Sequence, residues 1–385
     1  MTAARGLRIG VRVPTRTSGG GRVFAAELVN ALSRAPGCEQ VTVFLLGAEG
    51  AGLSFTDGVA VVPVHGASSP LLRRTLGNRA LRAAAKSHHL DALLCPGTEL
   101  AKIEHVPTIL WPLTVAPFER EALKLLGTTP LRRVKWSALR IAIRRACRSA
   151  DGLVFSSHYA RAAHGWGTAP GPTAPSTVIY PAASLGQFVQ RDGHTAGVAD
   201  LPEDFILFVS HLYPYKMVVE LIRGYAQCTE DPAFGQDLVL AGSAVDESYH
   251  TRVRSVVAEL GLANRVHLLG SVDKEVLAYL YDQAGVFVFP SISENAGSYA
   301  LIDALEYGKP VVCSSMSSMP EICQGSAYYF DPRDPGHIAE QLRAVVTDPH
   351  LRASMARRSR DRADAFPSWD TIAERLVSFS TELVA

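Results

Sequence analysis

Residues Val286–Glu321 read VFVFPSISENAGSYALIDALEYGKPVVCSSMSSMPE, and this stretch decides the fold. The apolar run Val286–Phe289 has the length of a strand and stops at Pro290; a polar turn follows, and then a segment with helical spacing. Strand, loop, helix and strand in this order are typical of a parallel sheet, in which such a loop lies at the carboxyl end of its strand, where ligands bind. Two carboxylates, Glu294 and Asp303, flank the start of that helix.

The composition describes a globular protein of two domains. The chain has 385 residues, enough for two domains of about 180 residues, each with its own core. Lysines and arginines number 38 against 37 acids, so no global field attracts nucleic acid or an anionic membrane, and any anion site is local. We therefore expect no nucleic-acid partner.

Cysteine usage and hydropathy predict a cytoplasmic protein. The six cysteines have neither CxxC nor Cys/His metal spacing, which is typical of reduced and mostly buried thiols. The N-terminus has no signal pattern, and no apolar stretch approaches the roughly 18 residues of a membrane span, so we expect no transmembrane segment.

Alternation of strands and helices along the whole chain predicts parallel α/β layering, since parallel strands need helical crossovers. Strand candidates in the first half are Leu7–Val13, Val41–Leu46, Val59–Val64, Ala92–Cys95, Thr108–Trp111 and Gly152–Phe155. Candidates in the second half are Phe205–Val209, Leu238–Ala241, Val266–Leu269, Val286–Phe289 and Pro310–Cys313.

A linker separates the two series. From about Gly165 to Pro202 the composition shifts to Pro, Gly, Ala, Thr and Ser. We expect an N-terminal Rossmann-like domain at 1–185, a C-terminal one at 186–367, and a final helix at 368–385 that packs back toward the first domain. Two doubly wound domains of this kind imply a cleft between their carboxyl-end faces.

Two features of the first half can each be interpreted in two ways. Gly19–Gly21 precede the first helix and either bring backbone amides close to a ligand or form a flexible turn; the GxGxxG and Walker patterns are absent. The segment Leu131–Arg148 carries seven basic residues, either as the solvated face of an ordinary helix or as a surface for acidic lipid or a phosphorylated partner.

Four elements of the second half point to one ligand. His211 and Lys216 follow a strand, where a lysine is a suitable phosphate partner, and Gly242 forms a turn after the next strand. The loop Glu294–Ser298 offers unpaired amides at a helix N-terminus, which suit a diphosphate. Asp303, within that helix, is within reach of a ribose or sugar hydroxyl as an acceptor.

These residues resemble a known family. The motifs are Phe289-Pro290-Ser291 through Glu294, Asp303-Ala304-Leu305, Gly308-x-Pro310-Val311-Val312 and Pro320-Glu321-Ile322. Together they look like the nucleotide-sugar-binding half of the retaining GT-B glycosyltransferases of family 4. The strand ends before Lys216 and Gly242, and Gly19-Gly20 in the first half, fall in the family's order, so the resemblance spans nearly the whole chain.

The resemblance implies a donor site in which Lys216 binds the diphosphate, Glu294 the hydroxyls of the donor sugar and Asp303 the ribose. Lys216 and Glu294 are then the catalytic candidates. The further donor-binding residues that it implies are Gly19, Gly20, His211, Gly242, Asn295, Ala296, Gly297, Ser298 and Tyr299, with residues 296–299 acting through their backbone amides.

The sequence departs from the family pattern at three places. His211 stands where the family usually has an arginine, and its imidazole is uncharged near neutral pH at an ordinary pKa. Glu294 and Asp303 are nine residues apart instead of eight, and Asn295 stands at the eight-residue spacing. Leu113 occupies the position where the first domain usually offers a histidine.

We therefore expect a retaining glycosyltransferase that moves a sugar from a nucleoside diphosphate sugar, UDP-linked, to a hydroxyl of a small-molecule or glycan acceptor. No metal and no other cofactor is expected, because no Asp-x-Asp pair is present. The departures leave open a catalytically impaired GT-B-like binding subunit, and the fold also permits a nucleotide-sugar epimerase or hydrolase.

Overall fold

The computed structural model describes residues 5–13, 20–46, 53–64, 70–166, 174–185, 198, 201–295 and 298–385. The chain forms two compact units. Unit 1 comprises Met1–Phe118, Val134–Ala182 and Pro367–Ala385, and unit 2 comprises Glu119–Arg133 and Ala183–Phe366. A short segment of the first half, Glu119–Arg133, thus belongs to unit 2, which the continuous ranges expected from the sequence did not anticipate.

Unit 1 is built on a parallel sheet of seven strands in the order β3-β2-β1-β4-β5-β6-β7. Its strands are β1 (Leu7–Val13), β2 (Cys38–Leu46), β3 (Ala60–Val64), β4 (Ala92–Pro96), β5 (Thr108–Trp111), β6 (Gly152–Phe155) and β7 (Ser176–Val178). Its helices are α1 (Gly20–Arg34), α2 (Pro70–Ala85), most of α4 (Pro130–Ser149), α5 (His158–Ala163) and α13 (Trp369–Val384). The last helix packs on α1, with an ion pair of 2.9 Å between Arg34 and Asp370.

Unit 2 contains a parallel sheet of six strands in the order β10-β9-β8-β11-β12-β13. Its strands are β8 (Ile206–Val209), β9 (Leu238–Ala241), β10 (Val266–Gly270), β11 (Val286–Phe289), β12 (Val311–Ser314) and β13 (Ala327–Phe330). Its helices are α3 (Arg120–Leu126), α6 (Val218–Cys228), α7 (Glu247–Glu259), α8 (Lys274–Gln283), α9 (Ser298–Glu306), α10 (Met319–Cys323), α11 (Pro335–Val346) and α12 (Pro349–Ala363).

Both sheets are doubly wound, because the strand order reverses beside the first strand of each. In unit 1 the reversal lies between β1 and β4, and in unit 2 it lies between β8 and β11. Strands β4, β5, β6, β9, β11 and β12 are buried over their full length, as expected for strands covered on both faces by helices. The predicted α/β class and doubly wound layering are confirmed.

Helix ends in unit 2 follow from local sequence. Asp246, Asp273, Asp334 and Asp348 each accept a hydrogen bond from a backbone N–H of the first turn that follows them. Among the described residues, no helix is both long enough and apolar enough to cross a bilayer.

Candidate donor site of unit 2

The strand order of unit 2 reverses between β8 and β11, and this switch point brings together two loops that are about eighty residues apart in the sequence. The loop after β8 leads to a 3-10 helix, Pro214–Lys216, and the loop after β11 carries Glu294. Because β8 and β11 are hydrogen-bonded neighbours, both loops leave the same edge of the sheet. The Ile292 N–H donates to the Tyr215 carbonyl at 3.0 Å and fixes one loop against the other.

Lys216 and Glu294 form a buried ion pair at this edge. The ammonium of Lys216 donates to Oε1 of Glu294, and the two residues are 6% and 8% exposed. The ammonium also lies 5.1 Å from the ring centre of Phe289 and 5.4 Å from that of Tyr215. Both catalytic candidates named from the sequence are therefore in direct contact, and two aromatic rings lie close to the cation.

The backbone of Glu294 is held by two serines that sequence reasoning missed. Its N–H donates to Oγ of Ser317 at 2.9 Å, and its carbonyl accepts from Oγ of Ser318 at 3.0 Å. The hydroxyl of Ser317 also lies 2.9 Å from Oε1 of Glu119, the residue before α3. Ser317 has a single hydroxyl hydrogen to donate. Because Ser318 already donates to the Glu294 carbonyl, Ser317 can donate its hydrogen to Oε1 of Glu119, and both the N–H and the carbonyl of Glu294 then have a partner.

Segment Glu119–Arg133 is a structural part of this unit. Helix α3 packs against the 3-10 helix that ends at Lys216, and Arg132 forms an ion pair of 3.0 Å with Asp246. No sequence signal marks this segment as part of the second unit, because its partners follow it by about a hundred residues or more.

His211 and Gly242 lie in the adjoining loops. Burial lowers the pKa of His211, and the charge of Lys216 lowers it further, so the imidazole is neutral at neutral pH. Its Nδ1 is buried and has no hydrogen-bond partner among the described residues. Gly242 is required by close packing, since a Cβ there would lie 1.8 Å from the carbonyl oxygen of Ser210.

Asp303 is almost completely buried, at 2% exposure, and its carboxylate is occupied by the chain itself. Oδ1 accepts from the Ser184 N–H at 2.6 Å and from the Leu185 N–H at 3.3 Å, and Oδ2 accepts from Oγ of Ser184 at 2.6 Å. Burial raises the pKa of Asp303 to about 7, although the bonds from Ser184 oppose that shift. A ribose contact remains a prediction, and it would require these bonds to be exchanged.

The other predicted donor-binding residues are placed as follows. Gly19, Ala296 and Gly297 lie outside the described residues, Gly20 is the first residue of α1 in unit 1, and Ser298 and Tyr299 begin α9. Asn295 directly follows Glu294 and is partly buried. The structure thus brings Lys216, Glu294 and His211 to one sheet edge and places Asp303 farther along α9.

Comparison with known proteins gives the class of this fold. A sucrose-phosphate synthase from Thermosynechococcus elongatus superposes with a TM-score of 0.80 at 17% identity, covering 98% of this chain and 99% of that one. The structure of Anabaena HepE in complex with UDP and glucose superposes with a TM-score of 0.73 at 18% identity, covering 98% of this chain and 100% of that one. The fold is that of the GT-B glycosyltransferases.

Sequence comparison matches part of the chain to a family. Residues 192–362 match the family model of the glycosyl transferases group 1. D-inositol 3-phosphate glycosyltransferase of Streptomyces avermitilis is 31% identical over 211 residues, which are 51% of this chain and 44% of that protein. The chain spans about half the length of the curated relatives that it matches.

Proposed function

We propose that this protein is a retaining glycosyltransferase that transfers a sugar from a UDP-linked donor to a hydroxyl of a small-molecule or glycan acceptor. The observation that carries the proposal is the buried pair of Lys216 and Glu294 at the switch point of unit 2, inside the segment that matches the family. A cation and a carboxylate at that edge are the two groups that a nucleoside diphosphate sugar requires.

The pair is arranged to exchange partners. A buried ion pair carries a large desolvation cost, so a ligand that supplies a stronger anion competes well for the cation. The diphosphate takes Lys216, and Glu294 is released to accept hydrogen bonds from the sugar hydroxyls. Lys216 then stabilises the charge that develops on the leaving diphosphate.

The same site needs no strong protein base in the proposed reaction. The leaving phosphate departs from the face that the acceptor attacks and takes the acceptor's proton, which retains the anomeric configuration. Lys216 supplies positive charge to the diphosphate, so we propose turnover without a metal ion. HepE, a structural neighbour of the whole chain, is described with UDP and glucose, which supports a uridine-linked donor.

We also propose a cytoplasmic location. All six cysteines lie in the described part of the chain and form no disulfide there, in agreement with a reducing compartment.

The test is a panel of uridine, guanosine, thymidine and adenosine diphosphates followed by the matching sugar donors. Binding is read as a shift in melting temperature and turnover as release of nucleoside diphosphate, with and without a chelator. Lys216→Gln removes the charge and keeps a hydrogen-bond donor for Glu294, so the variant should fold and lose donor binding. Lys309→Ala is the matched control, because Lys309 precedes β12 at the opposite, amino edge of the sheet and donates to the Asp282 carbonyl.

The outcomes separate the alternatives. Release of diphosphate that is lost in Lys216→Gln and kept in Lys309→Ala supports the proposal. Donor binding without turnover indicates a binding subunit, and mass spectrometry of the products identifies an epimerase or hydrolase. Correctly folded protein that binds none of the four diphosphates would refute the site.

A further inference from the structure

Helix α4 has two apolar faces, and the core uses only one of them. Ala142, Ile143, Ala146 and Cys147 are buried in the core of unit 1. Val134, Ala138 and Ile141 follow each other at helical spacing on the opposite face; Val134 is 66% and Ile141 49% exposed. The first turn of the same helix adds Leu131, which is 80% exposed. Three of the seven exposed large hydrophobic side chains among the described residues thus lie on α4.

The exposed face of α4 is also strongly basic. Residues 130–149 contain no acid and seven basic residues, which are Arg132, Arg133, Lys135, Arg140, Arg144, Arg145 and Arg148. Lys135, Arg144, Arg145 and Arg148 are exposed, and none of them has a carboxylate partner among the described residues. Arg145 and Arg148 continue the stripe of Val134 and Ile141 by one and two turns. Apolar groups and unpaired cations therefore share one surface.

Helix α12 shows that this is not a general property of arginine-rich helices in the chain. Its Arg352 pairs with Asp204 at 2.6 Å, and its Arg358 and Arg362 donate to the carbonyls of Gly325 and Ile322. None of the large hydrophobic side chains found exposed in the described residues lies on α12. Three of its arginines therefore hold the fold together, whereas the exposed cations of α4 point to a partner outside the molecule.

We propose that this face of α4, formed by Val134, Ala138, Ile141, Arg145 and Arg148, docks on the surface of an anionic lipid bilayer. The apolar side chains enter the boundary between headgroups and acyl chains, and the arginines bind lipid phosphates while their stems remain in apolar surroundings. A coiled coil with a partner helix is disfavoured, because it needs apolar residues over three or more heptads, and here arginines replace them after Ile141. The near-zero net charge of the whole chain does not oppose docking, since the charge is local.

The experiment is co-sedimentation of the full chain with vesicles of phosphatidylcholine alone and of phosphatidylcholine with phosphatidylglycerol. We expect binding only to the anionic vesicles, and its loss at high salt. Arg145→Ala with Arg148→Ala should weaken partitioning by roughly twenty-five-fold, because each basic residue near an anionic surface contributes roughly fivefold. Val134→Ser with Ile141→Ser should also abolish sedimentation, although these exposed positions leave the melting temperature unchanged.

Matched controls keep the result specific. Arg223→Ala with Arg357→Ala removes the same charge from exposed positions on α6 and α12 and should leave vesicle binding intact. Equal binding to both vesicle types, no binding to either, or binding that the α4 variants do not change would overturn the proposal. Sedimentation velocity adds one more refuting outcome: dimers that Val134→Ser with Ile141→Ser dissociates would assign the face to a second copy of the chain.

Discussion

Asp303 makes the stability of unit 2 depend on pH in a direction opposite to that of an ordinary ion-paired carboxylate. Its pKa is raised from 3.8 to about 7, so between these values the folded protein binds a proton that the unfolded chain has lost. Stability from this group is present below the unfolded pKa and is lost as pH rises through the folded pKa. The full loss is about 4 kcal/mol, and more than half of it falls between about pH 5 and about pH 8.

The substitution Asp303→Asn tests this with little change in shape. The asparagine Oδ1 can accept from the N–H groups of Ser184 and Leu185, and its Nδ2 can donate to Oγ of Ser184, because a hydroxyl both donates and accepts. The variant should therefore fold, and it should lack the pH-dependent loss. Ser184→Ala is the counterpart: it removes one donor to the carboxylate, so the pKa of Asp303 should rise further and the loss at neutral pH should grow.

Urea unfolding followed by far-ultraviolet circular dichroism at several pH values measures this effect. All four tryptophans, Trp111, Trp136, Trp166 and Trp369, belong to unit 1, so their fluorescence reports that unit separately. An Asp303→Asn variant whose unfolding free energy falls with pH as steeply as that of the unchanged protein would refute this role of Asp303.

Three further predictions concern single side chains. Burial lowers the pKa of His164 from 6.5 to about 4, so its contribution to the stability of unit 1 is present above about pH 6.5 and falls as pH drops. Tryptophan-monitored unfolding should therefore show a loss of about 2 kcal/mol by about pH 5, and His164→Phe should abolish that loss. Ser317→Ala leaves the Glu294 N–H without its acceptor, so it should lower the unfolding free energy by about 1–3 kcal/mol and weaken donor binding in a titration. Glu119→Gln keeps an acceptor for the Ser317 hydroxyl and should change neither quantity. Gly242→Ala should lower the melting temperature and the donor affinity, because its Cβ would meet a backbone oxygen. Gly235→Ala has open space around its Cβ and should lower neither, so equal effects of the two variants would contradict this prediction.

The sheets were predictable from sequence because their strands are short apolar runs bounded by turns. Predicted and observed bounds coincide for β1, β5, β6, β9 and β11. Strand β13 and helices α11 and α12 were not predicted. Helix α12 buries only Met355 and Ser359, so it offers no apolar periodicity to read, and its position depends on arginines that bond to distant parts of unit 2.

The candidate site was predictable in its residues and not in its contacts. Parallel topology places the ends of β8 and β11 side by side, so the sequence alone predicts Lys216 and Glu294 in one site, although it does not predict their ion pair. The supporting contacts have no local signature. Ser317 lies 23 residues from Glu294 and 198 residues from Glu119, and only the folded chain brings the three together.

The two acids that the sequence grouped together differ in environment, and this difference separates their roles. Glu294 stands in the loop before α9 against a cation, whereas Asp303 is five residues into that helix, about 7.5 Å along its axis from the first residue. Asp303 is met instead by Ser184 and Leu185, the residues that follow the passage of the chain into unit 2. Glu294 is thus paired with the cation of the candidate site, and Asp303 anchors the segment on which the second unit begins; the ribose contact predicted for Asp303 would exchange that anchor for the ligand.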